Sequence, residues 1–136
     1  MNGLSNYTAN KVNDHVFGNV PYTPPATIYA AMSIGSTIKA DDGTTFPEAN
    51  YVNYVRIPLT NNLTNFPASV SGSKVLGVDI TFPVSGGTTN IISELVFLDA
   101  ATGGNIVGVG TLTVQQTVAV GNQPVFEADE IEITVV

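Results

Sequence analysis

Apolar and polar residues alternate along most of this chain with a period of two, which is the spacing of a half-buried strand. In Thr27–Ile34 the residues Ile28, Ala30, Met32 and Ile34 share one parity, which predicts a strand with one face toward a core. Tyr51–Ile57 alternates β-formers up to Pro58, and that proline places the end of the strand at a sheet edge or a bulge. Lys74–Phe82, Ile91–Leu98, Ile106–Val114 and Gln116–Val120 read as further strands, with Ile91–Leu98 the central one. At the C-terminal end Ile131, Ile133 and Val135 oppose Glu130, Glu132 and Thr134, the pattern of a final half-buried strand.

Helical spacing occurs once. Ser5 is placed to cap a segment in which Ala9, Val12 and Val16 fall at i, i+3 and i+7, and Gly18 offers a stop. This predicts a helix over 6–17, and because so short a helix is marginal alone, its apolar stripe is expected to dock on something larger. Pro21, Pro24 and Pro25 then force an extended passage. Residues 35–50 carry almost no pattern and read as a long surface loop, and Asn61–Pro67 as a turn. Asp99–Asn105 holds Gly103-Gly104, whose tolerance of positive φ suits a tight hairpin reversal. Gly108 and Gly110 mark a bulge or a close backbone approach. Seven or eight short strands without βαβ alternation predict an all-β fold. The expected form is an antiparallel β-sandwich, jelly-roll-like, with one short N-terminal α-helix, in a single domain over 1–136.

Composition narrows the function classes. At 43% hydrophobic and 11% charged the chain contradicts the signature of disorder. The absence of Cys excludes disulfides, thiolate metal sites and thiol nucleophiles. Four Lys/Arg against eleven Asp/Glu, a net charge of −7, leave no basic surface to displace counterions from a phosphate backbone, so nucleic acid is not an expected partner. Met1–Asn6 lacks the charged and apolar regions of a signal peptide, and no run approaches a membrane span, so no membrane partner is expected.

Candidate chemistry is sparse. His15 is the sole imidazole, and an acid-base or triad scheme would have to join it to Asp14 and Ser5. Its place near a helix C-terminus is better explained by the macrodipole. Glu127, Asp129, Glu130 and Glu132 form the densest acidic cluster; they read as a solvated strand face, with a structural cation such as calcium as the alternative. Asp41-Asp42-Gly43 reads as an exposed turn, and Gly108-Val109-Gly110 has no following helix and is no phosphate loop. Tyr22, Tyr29, Tyr51 and Tyr54 suit packing better than sugar stacking. Asn6-Tyr7-Thr8 and Asn62-Leu63-Thr64 match the glycosylation pattern at the level chance provides. No catalytic, cofactor-binding or metal-binding residue is singled out, no cofactor is expected, and the chain reads as a non-enzyme.

Three stretches together carry a resemblance: Leu4-Ser5-Asn6-Tyr7 through Asp14-His15-Val16, Tyr22-Thr23-Pro24-Pro25-Ala26-Thr27, and Asp99-Ala100-Ala101-Thr102-Gly103-Gly104-Asn105. Joined by Tyr54-Val55-Arg56 and Val78–Pro83, they resemble a family of small tailed-bacteriophage virion proteins commonly labelled tail fibre proteins. The resemblance implies a structural subunit of the virion, assembled in the host cytoplasm. Its partners would be other virion proteins and copies of itself in a homo-oligomer, with a host-surface glycan as a further candidate. Three placements stay open: an accessory of the tail or fibre region, a capsid decoration protein cementing the shell, and a carbohydrate-binding module. A capsid position would call for extended termini that clamp neighbours, and a sugar module for an exposed aromatic groove.

Overall fold

Asn90–Leu98 (β6) carries no Pro or Gly and is almost entirely apolar from Leu95 onward, and it forms the centre of the main sheet in the computed structural model, which describes residues 1–135. Antiparallel neighbours flank it on both sides, Thr27–Ser33 (β2) and Ile106–Val118 (β7). Gly3–Leu4 (β1) pairs outside β7, and Ile57–Thr60 (β3) outside β2, which makes a five-stranded sheet in the order β1-β7-β6-β2-β3. Ser73–Val75 (β4) pairs with Glu132–Thr134 (β9), and Ile80–Thr81 (β5) with Val125–Phe126 (β8). These two short ribbons form the second layer of the sandwich. They and their flanks supply Leu76, Ile80, Phe82, Phe126 and Ile131, which pack against Ile28, Ala30, Met32, Leu95 and Phe97 of the main sheet. Each such side chain contributes roughly 1.5–3 kcal/mol on burial.

The opposite face of the main sheet is covered too. Ala31, Val96, Leu98, Ile106 and Val109 lie beneath Phe46, which the loop over 35–50 lays across them. From Glu94 to Leu98 every β6 residue is therefore buried, and a run buried on both faces shows no clean alternation. Glu94 is a carboxylate in this interior, only 2% exposed. One of its oxygens accepts the Thr37 N–H at 2.6 Å, and the other accepts the Met1 ammonium and, at 3.4 Å, the Thr111 hydroxyl. A buried charge left unpaired costs several kcal/mol, so these donors are a condition for the acid to be there.

The helix Asn6–Gly18 (α1) starts where expected: Ser5 is extended, and its Oγ accepts the Thr8 N–H at 3.2 Å. It ends one residue later than expected, with Asn19 in the left-handed region at φ 53° and the Val20 N–H bonded to the Asp14 carbonyl at 3.1 Å. The apolar stripe does not dock. Thr8 is the one buried helix residue, Val12 and Val16 are exposed, and Phe17 is 87% exposed. Only the N-terminal end is fastened, by the Ser5 hydroxyl donating to the Ile106 carbonyl and by Asn6 N–H to Lys39 O at 2.8 Å.

Three other expectations are corrected. Tyr51–Arg56 is not a strand: Asn53 sits at φ 79° and turns the chain, so Tyr51 and Tyr54 both face the core, and pairing begins only at Ile57. Pro58 does lie on a sheet edge, as its missing N–H requires. Lys74–Phe82 is split between β4 and β5, which pair with different strands; between them the Gly77 N–H turns to the Asn65 carbonyl at 2.8 Å. Ile106–Val114 and Gln116–Val120 are one long strand, because a register shift lets Leu112–Gln115 bow outward without ending it. Of the final alternation, Ile131 and Ile133 reach the core while Val135 is exposed.

The glycine turn stands as expected, with Gly103 at φ 59° and Gly104 at φ 77°. Asp99 closes it by accepting the Asn105 N–H at 2.7 Å. A Cβ at Gly110 would lie 2.6 Å from the Ile131 Cγ2, the close approach anticipated for this strand. Replacing Gly103 and Gly104 together by Val forces two L-residues into left-handed geometry, a cost of about 2–4 kcal/mol in total. A Cβ at Gly104 would also meet Asp99 Oδ1 at 2.5 Å. Thermal unfolding followed by circular dichroism is expected to show Tm lowered by roughly 10 °C; an unchanged Tm contradicts the turn.

Candidate functional site

Among the described residues a dense polar constellation surrounds the chain's only arginine. Arg56 immediately precedes β3, and its side chain is buried. Its Nε donates to Glu48 Oε1 at 2.7 Å and its Nη2 to Glu48 Oε2 at 2.9 Å, a bidentate fork. The remaining donors reach backbone carbonyls: Nη1 to Ala100 and Gly103, both at 2.9 Å, and Nη2 to Gly43 at 3.0 Å. A guanidinium has five N–H groups, and all five are used. The ring of Phe46 lies 5.8 Å from the guanidinium carbon.

Tyr54 completes the cluster. Its hydroxyl donates to Glu48 Oε1 at 2.8 Å and accepts the Met32 N–H at 3.2 Å. Burial, with the Glu48 charge adding to it, pushes this phenol far above its ordinary pKa, so it stays a donor. The Glu48 hydrogen bonds hold the Arg56 guanidinium charged against burial. Beside the cluster lies an open depression of about 640 Å³ lined by Gly43, Glu48, Asn50, Tyr54, Arg56 and Thr102, among others. Because the guanidinium is saturated, the depression offers no free cation to an anionic ligand. The constellation ties three chain segments together, and that is the chemistry it can perform.

The residues weighed from sequence do not converge. Ser5 is buried at the helix cap with its hydroxyl on the Ile106 carbonyl, and His15 is exposed with Nδ1 3.0 Å from the Val20 carbonyl oxygen. Ten residues of helix separate them by roughly 15 Å. Glu127–Glu130 is a turn, where Glu130 Oε2 accepts the Glu127 N–H at 2.9 Å and Asp129 adopts φ 66°. Among the described residues no three carboxylate or imidazole side chains gather as a metal would need. Asp41 and Asp42 hold their own loop: Asp42 Oδ1 accepts both the N–H and the hydroxyl of Thr44 at 2.7 Å, which holds its carboxyl below the ordinary range.

The tyrosines divide. Tyr51 and Tyr54 pack edge to face at 5.6 Å, Tyr54 stacks on Phe82, and the Tyr51 hydroxyl donates to the Pro83 carbonyl at 2.8 Å. Tyr22 and Tyr29 are half-buried, so no aromatic platform is formed by the four. Sequence reasoning passed over Glu48, Arg56 and Glu94. The one available signal was a lone arginine between Val55 and Ile57, an apolar setting that a solvated cation has no reason to occupy.

The sequence model of one family, described as podophage GP4 fiber I protein gp80, matches residues 3–134. Comparison with curated proteins returns no match.

Two outcomes are expected from these contacts. Arg56→Ala leaves three carbonyls and the part-buried Glu48 carboxylate without their donors, with an expected loss of about 3–5 kcal/mol, and Arg56→Lys recovers little because an ammonium cannot reproduce the fork. Urea unfolding measures both, and a Lys variant as stable as the parent contradicts the fork's role. For Asp42 the folded pKa is depressed, so its stabilisation is complete above the unfolded value of about 3.9 and is lost as pH falls through the lower folded value. Asp42→Asn is expected to flatten the acid limb of stability below about pH 4, read as urea midpoints across that range.

Proposed function

Because the chain belongs to the podophage GP4 fiber I protein family, a structural role in a phage virion is the premise, and we propose that it is a small non-catalytic accessory subunit of the tail or fibre region, assembled in the host cytoplasm. The observation that carries the finer reading is how the polar interior is spent. Arg56 has every donor bound within the fold, and Glu94 is satisfied by Thr37, Thr111 and Met1. These groups brace a scaffold and leave nothing facing a substrate. His15, the only imidazole in the chain, stands exposed with its Nδ1 3.0 Å from the Val20 carbonyl oxygen.

The same features weigh against the other placements. A shell cement needs arms that reach neighbours, whereas the described ends are drawn into sheets, Gly3–Leu4 onto β7 and Glu132–Thr134 onto β4. A sugar module needs an aromatic groove, and Tyr51 and Tyr54 are turned inward.

Labelling purified particles with an antibody against this chain, viewed by electron microscopy, is the direct test. Label at the tail or fibre base is expected, and label spread over the head shell would overturn the placement in favour of decoration. His15→Ala, and separately the conversion of Glu127, Asp129, Glu130 and Glu132 to amides, should leave particle yield and infectivity within about threefold, since exposed charges contribute little. Turnover of a glycan or peptide substrate abolished by His15→Ala would sink the non-catalytic reading.

A further inference from the structure

The long strand β7 runs out of neighbours halfway along. Its first part is flanked by β6 on one side and by β1 on the other, but β1 reaches only Gly108 and Val109. Leu112–Gln115 has no partner on either side, because Thr111 opposes Glu94 and the next pair is Gln116 with Ile92. From Gln116 to Val118 only β6 is paired. Thr113, Val114, Gln115 and Thr117 are exposed, Val114 by 78%. Beside them the Gln116 Oε1 is buried without a hydrogen-bond partner, the one such side-chain atom among the described residues.

Open edges of this kind are normally blunted by Lys, by Pro, by a bulge, by brevity or by a covering element. The other edge of the sheet shows this, since β3 is short and carries Pro58. Over Leu112–Val118 the β7 edge carries no Lys or Pro, its one device is the register shift at Leu112–Gln115, and it is rich in Thr and Val. Nor does it carry charge: no Asp, Glu, Lys or Arg occurs between Asp99 and Glu127, in a chain whose net charge is −7. Copies of a strongly acidic chain repel one another over most approaches, and an uncharged edge is where that repulsion is least.

We infer that Leu112–Val118 is the docking site for a second copy of this chain, the two β7 segments pairing antiparallel about a two-fold axis near Val114. Antiparallel pairing is self-complementary, so one surface serves both partners. A head-to-tail arrangement would have to use β3, where Pro58 lacks the N–H a ladder needs. A single strand edge lies at the small end of interface sizes, so the contact forms at micromolar concentration and is reinforced where subunits are crowded on a particle. The inference rests on the virion role for its setting.

The chain has no cysteine, so single cysteines report the contact cleanly. The test uses the full chain at about 100 µM as three variants, Val114→Cys, Val70→Cys on an exposed site elsewhere, and Val114→Lys. In a glutathione redox buffer, Val114→Cys is expected to become mostly disulfide-linked dimer, at least about tenfold faster than Val70→Cys. Sedimentation is expected to show a dimer for the parent and a monomer for Val114→Lys at unchanged Tm. Equal cross-linking at the two sites, a monomeric parent, or a larger oligomer that survives Val114→Lys would each overturn the pairing. A monomeric parent that nevertheless labels particles overturns the pairing and leaves the virion role intact. A dimer absent from particles does the reverse.

Discussion

Five N–H groups on Arg56 meet five oxygen atoms drawn from Glu48, Gly43, Ala100 and Gly103, and the arrangement of the sheet's end depends on that match. The loop over 35–50 runs directly into the turn over 51–56, but the β6–β7 hairpin is remote from both in sequence, and the Gly43 N–H on the Gly104 carbonyl at 2.9 Å is a backbone bond that joins them. A planar, permanently charged fork can hold all of them in one geometry because its donors are rigidly placed relative to each other. The ion pair alone would not justify its burial, since desolvation of both charges offsets much of their attraction. Burial is tolerable because the remaining donors find carbonyls that would otherwise be unsatisfied.

With that end fixed, the loop over 35–50 becomes a covering layer. It lays Phe46 over the second face of the sheet, and its Thr37 N–H serves Glu94 from the same side. Two acids and one base thus organise a loop that has no regular secondary structure of its own. The scarcity of surface charge then has a physical counterpart, because one arginine and two glutamates are committed to internal work. A subunit built this way presents mostly uncharged backbone and side chains to its surroundings, which suits a component that meets other proteins over much of its surface.

Elements rich in apolar β-formers or glycine were legible in the sequence, even where a strand is buried on both faces. Thr27–Ser33, Asn90–Leu98 and the Gly103-Gly104 reversal follow from period and turn chemistry alone. Where alternation misled, tertiary bonds had overridden it. Tyr51 and Tyr54 look like strand positions, yet Asn53 in the left-handed region brings both inward. The helix stripe of Ala9, Val12 and Val16 has helical spacing, but the sequence contains nothing that says which face the anchor at Ser5 will turn to the sheet. The Arg56 cluster was not legible as a site because three of its five acceptors are backbone carbonyls, which every residue carries and no residue type advertises.

The pairing of Gly3–Leu4 with Gly108 and Val109 bears on the order in which the chain can fold as it is made. The first strand of the molecule has no partner until the ribosome has released β7, and β4 has a shorter wait for β9. At a synthesis rate of roughly 5–20 residues per second, the N-terminal segment spends several seconds tethered only by its own helix. Closure of so long a loop is slow compared with local hairpin formation, so the β6–β7 hairpin is the natural nucleus and β1 joins last. The molecule is therefore completed from its final third backward to its beginning.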